Sequence, residues 1–203
     1  MATDRTTEAR SLLEIRGSPC RLRTLLGDAT ATPEAYCYAS PPCYAGELGP
    51  EYFGTTPRLS RDELVELLNT LLEAERAGAR VIAAFLGDYE RDTPAWRQLA
   101  AVQRDEAKNC AILIDLIRRL NGTPSSATGD FMGKAFAVEG RAARLQFLNH
   151  GQEWVARRIC EALPDVEQDF VRDALLAMRE SHVLNIDACD ALVKMLEIPT
   201  SSR

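Results

Sequence analysis

Four long amphipathic stripes constrain this chain most, because each is broken near its middle by polar residues where the helical period calls for apolar ones. The first opens at Ser60-x-x-Glu63, a capping-box pattern, and runs Leu64, Leu68, Leu71, Gly78, Ile82 and Phe85, with Glu75 in the gap. The second begins at Thr93-Pro94, a cap followed by a first-turn proline. It presents Trp96, Leu99, Val102, Leu113, Leu116 and Leu120, interrupted by Glu106 and Asn109. The third becomes regular between Asp130 and Gly140 and continues to Leu163, with Val138, Ala142, Leu145, Ala156 and Ile159 inward and Asn149 and Gln152 at its centre. The fourth follows Pro164, with Asp165-x-x-Gln168 as a box-like cap. It carries Val171, Leu175, Met178, Cys189, Leu192 and Leu196 up to Pro199, interrupted by His182 and Asn185.

The pattern predicts an all-α fold: a four-helix bundle over residues 60–198 preceded by an irregular extension over residues 1–59. The extension holds Tyr36, Tyr38, Tyr44 and Tyr52 beside Phe53, aromatic area expected to pack on the bundle or on a partner subunit. A homo-oligomer, a dimer first, is the expected assembly.

Burying a carboxylate, amide or imidazole among leucines costs several kcal/mol unless it is paired or ligated, so the interrupting residues need partners. Glu75 and Glu106 lie at similar distances from the turn joining the first two helices, and Gln152 and His182 are similarly placed about the turn joining the last two. All four helices are therefore expected to meet in one polar layer. Between Asn121 and about Gly140 the chain is long enough to span roughly 40 Å, at roughly 3.3 Å per residue. That length favours a long crossover between the second and third helices over a tight antiparallel turn.

Composition closes several routes. With 24 Lys and Arg against 30 Asp and Glu, the net charge is −6 and no basic run forms a phosphate-binding patch, so nucleic acid is an unexpected partner. Charge breaks every apolar run well short of a membrane span, and Met1-Ala-Thr-Asp-Arg lacks a signal peptide's apolar core, so no membrane partner and a cytoplasmic location are expected. The six cysteines contain no Cys-x-x-Cys pair and read as reduced thiols, three of them core-facing in helices (Cys110, Cys160 and Cys189). Cys37 and Cys43 are the one pair close enough for a local disulfide or shared metal to be tested.

Over residues 60–198 the stripes resemble the ferritin-like di-iron carboxylate proteins, a family that includes the rubrerythrins. That family places a Glu on its first and third helices and a Glu-x-x-His on its second and fourth, all directed into the core. Glu75 matches the first Glu, and Glu106-Ala-Lys-Asn109 matches the second-helix motif with Asn for His. Gln152 stands at the third-helix Glu, with Glu153 adjacent, and His182-Val-Leu-Asn185 occupies the fourth-helix motif with both residues changed. The resemblance implies Glu75, Glu106, His182 and Glu153 as metal ligands, beside a polar layer of Asn109, Asn149, Gln152 and Asn185. Amides are neutral, weak ligands, so this set suits one iron or manganese ion better than two.

Three functions are compatible with these residues. One is a metal-dependent oxidoreductase acting through dioxygen or peroxide. A second is a non-catalytic bundle whose layer lines a small-molecule pocket. In the third the layer is a structural hydrogen-bond network that fixes helix register without any ion. His150, off the core stripe near Phe147 and Trp154, reads as surface or interface, and Cys110 and Cys189 as small core residues. Glu47, among the aromatics of the extension, is a loop carboxylate that solvent accounts for.

Overall fold

The computed structural model describes residues 58–128 and 130–197. Of the extension only Arg58 and Leu59 fall within it; the expectations for Cys37, Cys43, Glu47 and the tyrosines lie outside the described residues. Every regular element among the described residues is helical, as the stripes predict.

Helix α1, Arg61–Phe85, starts where the capping box puts it: Ser60 Oγ accepts from the Glu63 amide at 3.3 Å, and the Ser60 amide donates to Glu63 Oε2 at 2.9 Å. After a 3-10 turn over Leu86–Asp88, α2 spans Pro94–Arg119, with Thr93 Oγ1 accepting from the Trp96 amide. It stops because Asn121 turns left-handed at φ 57°. The Gly122 amide then donates to the Ile117 carbonyl and the Asn121 amide to that of Arg118, the paired bonds that close a Schellman terminus.

The following segment is bound along α1. Asn69 donates to the Thr123 carbonyl and accepts from the Ser125 amide, Ser125 Oγ donates to Glu73 at 2.5 Å, and Arg76 donates to the Ser125 and Ala127 carbonyls. Inside the stretch read as the crossover, where the third helix is expected to become regular, lies a separate short helix, α3, Phe131–Phe136. Helix α4, Arg141–Ala162, begins after Gly140, whose φ of 86° only glycine adopts without strain. A 3-10 turn over Leu163–Asp165 leads into α5, Asp169–Glu197. The expected cap at Asp165 is therefore misplaced: Asp165 belongs to the 3-10 turn, and the Gln168 carbonyl accepts the first helical amides, those of Val171 and Arg172. Leu59 and Arg58 fasten the start of α1 to this turn, through a bond from the Leu59 amide to the Asp165 carbonyl and an ion pair with Glu167.

Helix α1 packs mainly along α2, and α4 along α5. Two apolar clusters fix the relative directions. One joins Leu64–Leu72 at the start of α1, Leu113–Leu120 at the end of α2, Val155–Leu163 at the end of α4 and Val171–Met178 at the start of α5. The other joins Ile82 and Phe85 at the end of α1, Leu99 and Val102 at the start of α2, Leu145 and Leu148 early in α4, and Cys189 and Leu192 late in α5. Hence α1 runs antiparallel to α2, and α4 to α5, and the chain between α2 and α4 passes from one cluster to the other. Six positions expected in the core, Trp96, Cys110, Val138, Ala142, Cys160 and Leu196, are only half-buried. Trp96 lies under the Arg91 guanidinium instead, its ring centroid 5.9 Å away. No helix among the described residues is long and apolar enough to cross a membrane.

Candidate functional site

Between the two clusters lie the interrupting residues, and all seven are buried: Glu75, Glu106, Asn109, Asn149, Gln152, His182 and Asn185. Glu75, wholly buried on α1, is the hub. Its Oε1 lies 2.6 Å from His182 Nε2 and its Oε2 accepts from Asn109 Nδ2 at 3.1 Å. At that distance one proton lies between the Glu75 oxygen and the His182 nitrogen.

Glu106 completes the group from α2. Burial, then the adjacent Glu75 carboxylate and the hydrogen bond between the two, hold the Glu106 carboxyl well above the usual carboxylate range. The pair therefore shares a proton, with protonated Glu106 donating to Glu75. Gly78, one turn beyond Glu75, makes room for this: a Cβ there would sit 2.6 Å from Glu106 Oε2 and 3.1 Å from its Cδ. The sequence signal for it is a glycine inside a helical stripe, three residues from the buried Glu.

The amides of α4 bond elsewhere. Asn149 Nδ2 donates to the Ile186 carbonyl at 3.2 Å and to Asp190 at 2.8 Å, and Gln152 Nε2 to Asn149 Oδ1 at 3.4 Å. The single layer expected from the sequence is thus two adjoining groups, one centred on Glu75 and one on Asn149. Three buried polar atoms in them have no hydrogen-bond partner: Gln152 Oε1, His182 Nδ1 and Asn185 Nδ2. The phase of α4 turns Gln152 inward and leaves Glu153 half-buried.

Over this layer is a cavity of about 470 Å³, walled by α1, α3 and α4. Glu106, Gln152 and His182 are its most buried polar lining residues and form its floor. Ala74, Ala77, Leu148, Val155, Phe131 and Phe147 supply apolar wall, the last two stacked at 5.0 Å between centroids. Gly151 receives the Phe131 ring, which lies 2.7 Å from where a Cβ would be. His150 and Trp154 are exposed at the rim. His150, read from the sequence as surface, is therefore also part of the cavity; its Nδ1 lies 2.7 Å from the Gln146 carbonyl.

Do these donors fit a metal? Two ligands bound to one ion at about 2.0–2.2 Å each stand roughly 3 Å or more apart. Glu75 and His182 are closer, at 2.6 Å, with a hydrogen bond along the line between them. Glu106 faces the same carboxylate rather than a common point, and Glu153 does not line the cavity. Among the described residues no three His, Cys, Asp or Glu side chains are placed to hold an ion. As these side chains stand the arrangement is a hydrogen-bond network, and an ion among them would require the Glu75–His182 contact to open. The thiols are no better suited as ligands: burial pushes Cys189 up to about 12 and Cys110 to about 11.

No curated protein and no solved structure matches this chain. A family model described as a domain of unknown function (DUF6306) matches residues 62–191, from the first turn of α1 to the last turns of α5, and so contains the layer and the cavity. The chain belongs to the DUF6306 family.

Proposed function

We propose that this chain is a ferritin-like four-helix bundle that binds a small organic molecule in the cavity above its polar layer. The end-to-end passage between α2 and α4 supports the ferritin-like part, since two antiparallel pairs joined by one long crossover define that arrangement. The observation that carries the binding reading is the cavity itself. Its volume lies within the roughly 300–1,000 Å³ of small-molecule sites, apolar residues supply much of its wall, and its most buried polar residues, Glu106, Gln152 and His182, gather at its floor. Buried polar atoms without partners, such as Gln152 Oε1, cost free energy that a bound molecule would recover. The test is a thermal-shift screen of small organic compounds on the full-length protein and on Ala74→Phe, which fills the cavity from α1. Compounds should stabilise the parent and not the variant. A parent that no compound stabilises, beside a variant more stable than it, would mark the cavity as a packing defect.

The convergence of Glu75, Glu106 and His182 from three helices favours a second reading, a metal-dependent oxidoreductase holding one iron or manganese ion. It requires the Glu75–His182 contact to open. Protein purified without a chelating tag should then carry about one such ion per chain, and a content far below that removes this reading.

A further inference from the structure

The cavity floor is rich in acceptors and poor in donors. Asn109 Nδ2 and His182 Nε2 are both spent on Glu75, and Gln152 Nε2 on Asn149. What remains lining the cavity is the Glu106 carboxyl and two side-chain atoms without a partner, Gln152 Oε1 and His182 Nδ1. We infer that the cavity takes a primary amine with an aromatic or short apolar body, its ammonium set against Glu106 and Gln152 and its body against Phe131, Phe147 and Ala74. This deepens the small-molecule reading above and rests on it.

Three comparisons lead to the amine. A hydroxyl brings one donor to a floor with several acceptors, whereas an ammonium brings three with a charge that strengthens each bond. A carboxylate head would meet two buried carboxyls and add no donor. A bare metal ion would leave an apolar space of about 470 Å³ unfilled. At the rim, Glu73 and Asp130 outnumber Lys134, and the chain's charge of −6 favours approach of a cation.

Calorimetric titration of the full-length protein with 2-phenylethylamine, 2-phenylethanol and 3-phenylpropionate, three bodies of similar size with different heads, tests this. The amine should bind about tenfold or more tighter than the alcohol, the difference expected of charge-assisted bonds, and the propionate should give no heat. Gln152→Met, close in volume but without the acceptor, should weaken the amine by about fivefold or more and leave the alcohol's affinity less changed. Ala74→Phe should abolish binding of both. If the alcohol or the propionate binds as tightly as the amine and Ala74→Phe abolishes that binding, the amine assignment fails while the site stands. If none of the three gives heat, both fail.

Discussion

Gly78→Ala is the sharpest probe of how the layer is assembled, because two effects of opposite sign meet at one methyl group. In a helix interior alanine is favoured over glycine by about 1 kcal/mol, so a methyl pointing into open space would stabilise α1. At Gly78 it does not point into open space: it would lie 2.6 Å from Glu106 Oε2 and 3.1 Å from Cδ. The carboxyl is the mobile end of its side chain, yet it is buried and bonded to Glu75, so moving it strains or breaks that bond. Leaving buried partners unpaired costs about 1–3 kcal/mol and overpacking a similar amount, so the clash outweighs propensity by about 1–5 kcal/mol. Denaturant unfolding followed by circular dichroism measures this, with Gly133→Ala in α3, whose Cβ meets nothing within 4 Å, as the control. In a Glu106→Ala background the cost of Gly78→Ala should vanish, since its collision partner is gone. If Gly78→Ala matches the control in the parent chain, Glu106 does not occupy this space and the described layer is wrong.

Three further outcomes follow from the same geometry. Glu106 is held protonated in the fold, so its contribution is full below the ordinary carboxylate range and is lost as pH rises toward its elevated value. Over that window stability should fall by up to about 1.4 kcal/mol per pH unit from this group, and Glu106→Gln, which mimics the protonated form, should show a shallower slope in denaturation midpoints against pH. Glu75→Ala strands Asn109 Nδ2, His182 Nε2 and Glu106 together and should cost about 3–5 kcal/mol by chemical denaturation; a loss under about 1 kcal/mol would deny Glu75 its place as hub. The Cys189 thiol, buried and raised to about 12, should resist alkylation at neutral pH in the native protein and react on unfolding, as peptide mass mapping can show.

Much of this was legible in the sequence because the responsible interactions are local or periodic. The capping box at Ser60, the Thr93-Pro94 start and the stop near Asn121 each depend on a few adjacent residues, and all three appear as read. The burial of Glu75, Glu106, Asn109, Asn149, Gln152, His182 and Asn185 followed from helical phase alone. Phase also selects Gln152 over Glu153, though the reading left both open because adjacent residues differ by only about 100° around a helix. What phase does not carry is pairing across helices. That Asn149 reaches the Ile186 carbonyl and Asp190, rather than Glu75, depends on the axial offset of α4 against α5. The cavity was hidden for a similar reason. It exists because α3 sets Phe131 against Gly151 from a segment with too few residues to show a period, and because Ala74, Ala77 and Gly78 are small where three elements meet.

On this reading Glu75, Glu106 and His182 form a proton-bearing hydrogen-bond network beneath an organic ligand site. A crystal structure of protein purified without a chelating tag, with anomalous data recorded at the iron and manganese edges, tests it most directly. The expected map has no anomalous peak among the three side chains, Glu75 and His182 in direct contact, and ligand density in the cavity on soaking with 2-phenylethylamine. A peak about 2.0–2.2 Å from all three side chains, with Glu75 and His182 moved apart around it, would contradict the account and restore the metal centre.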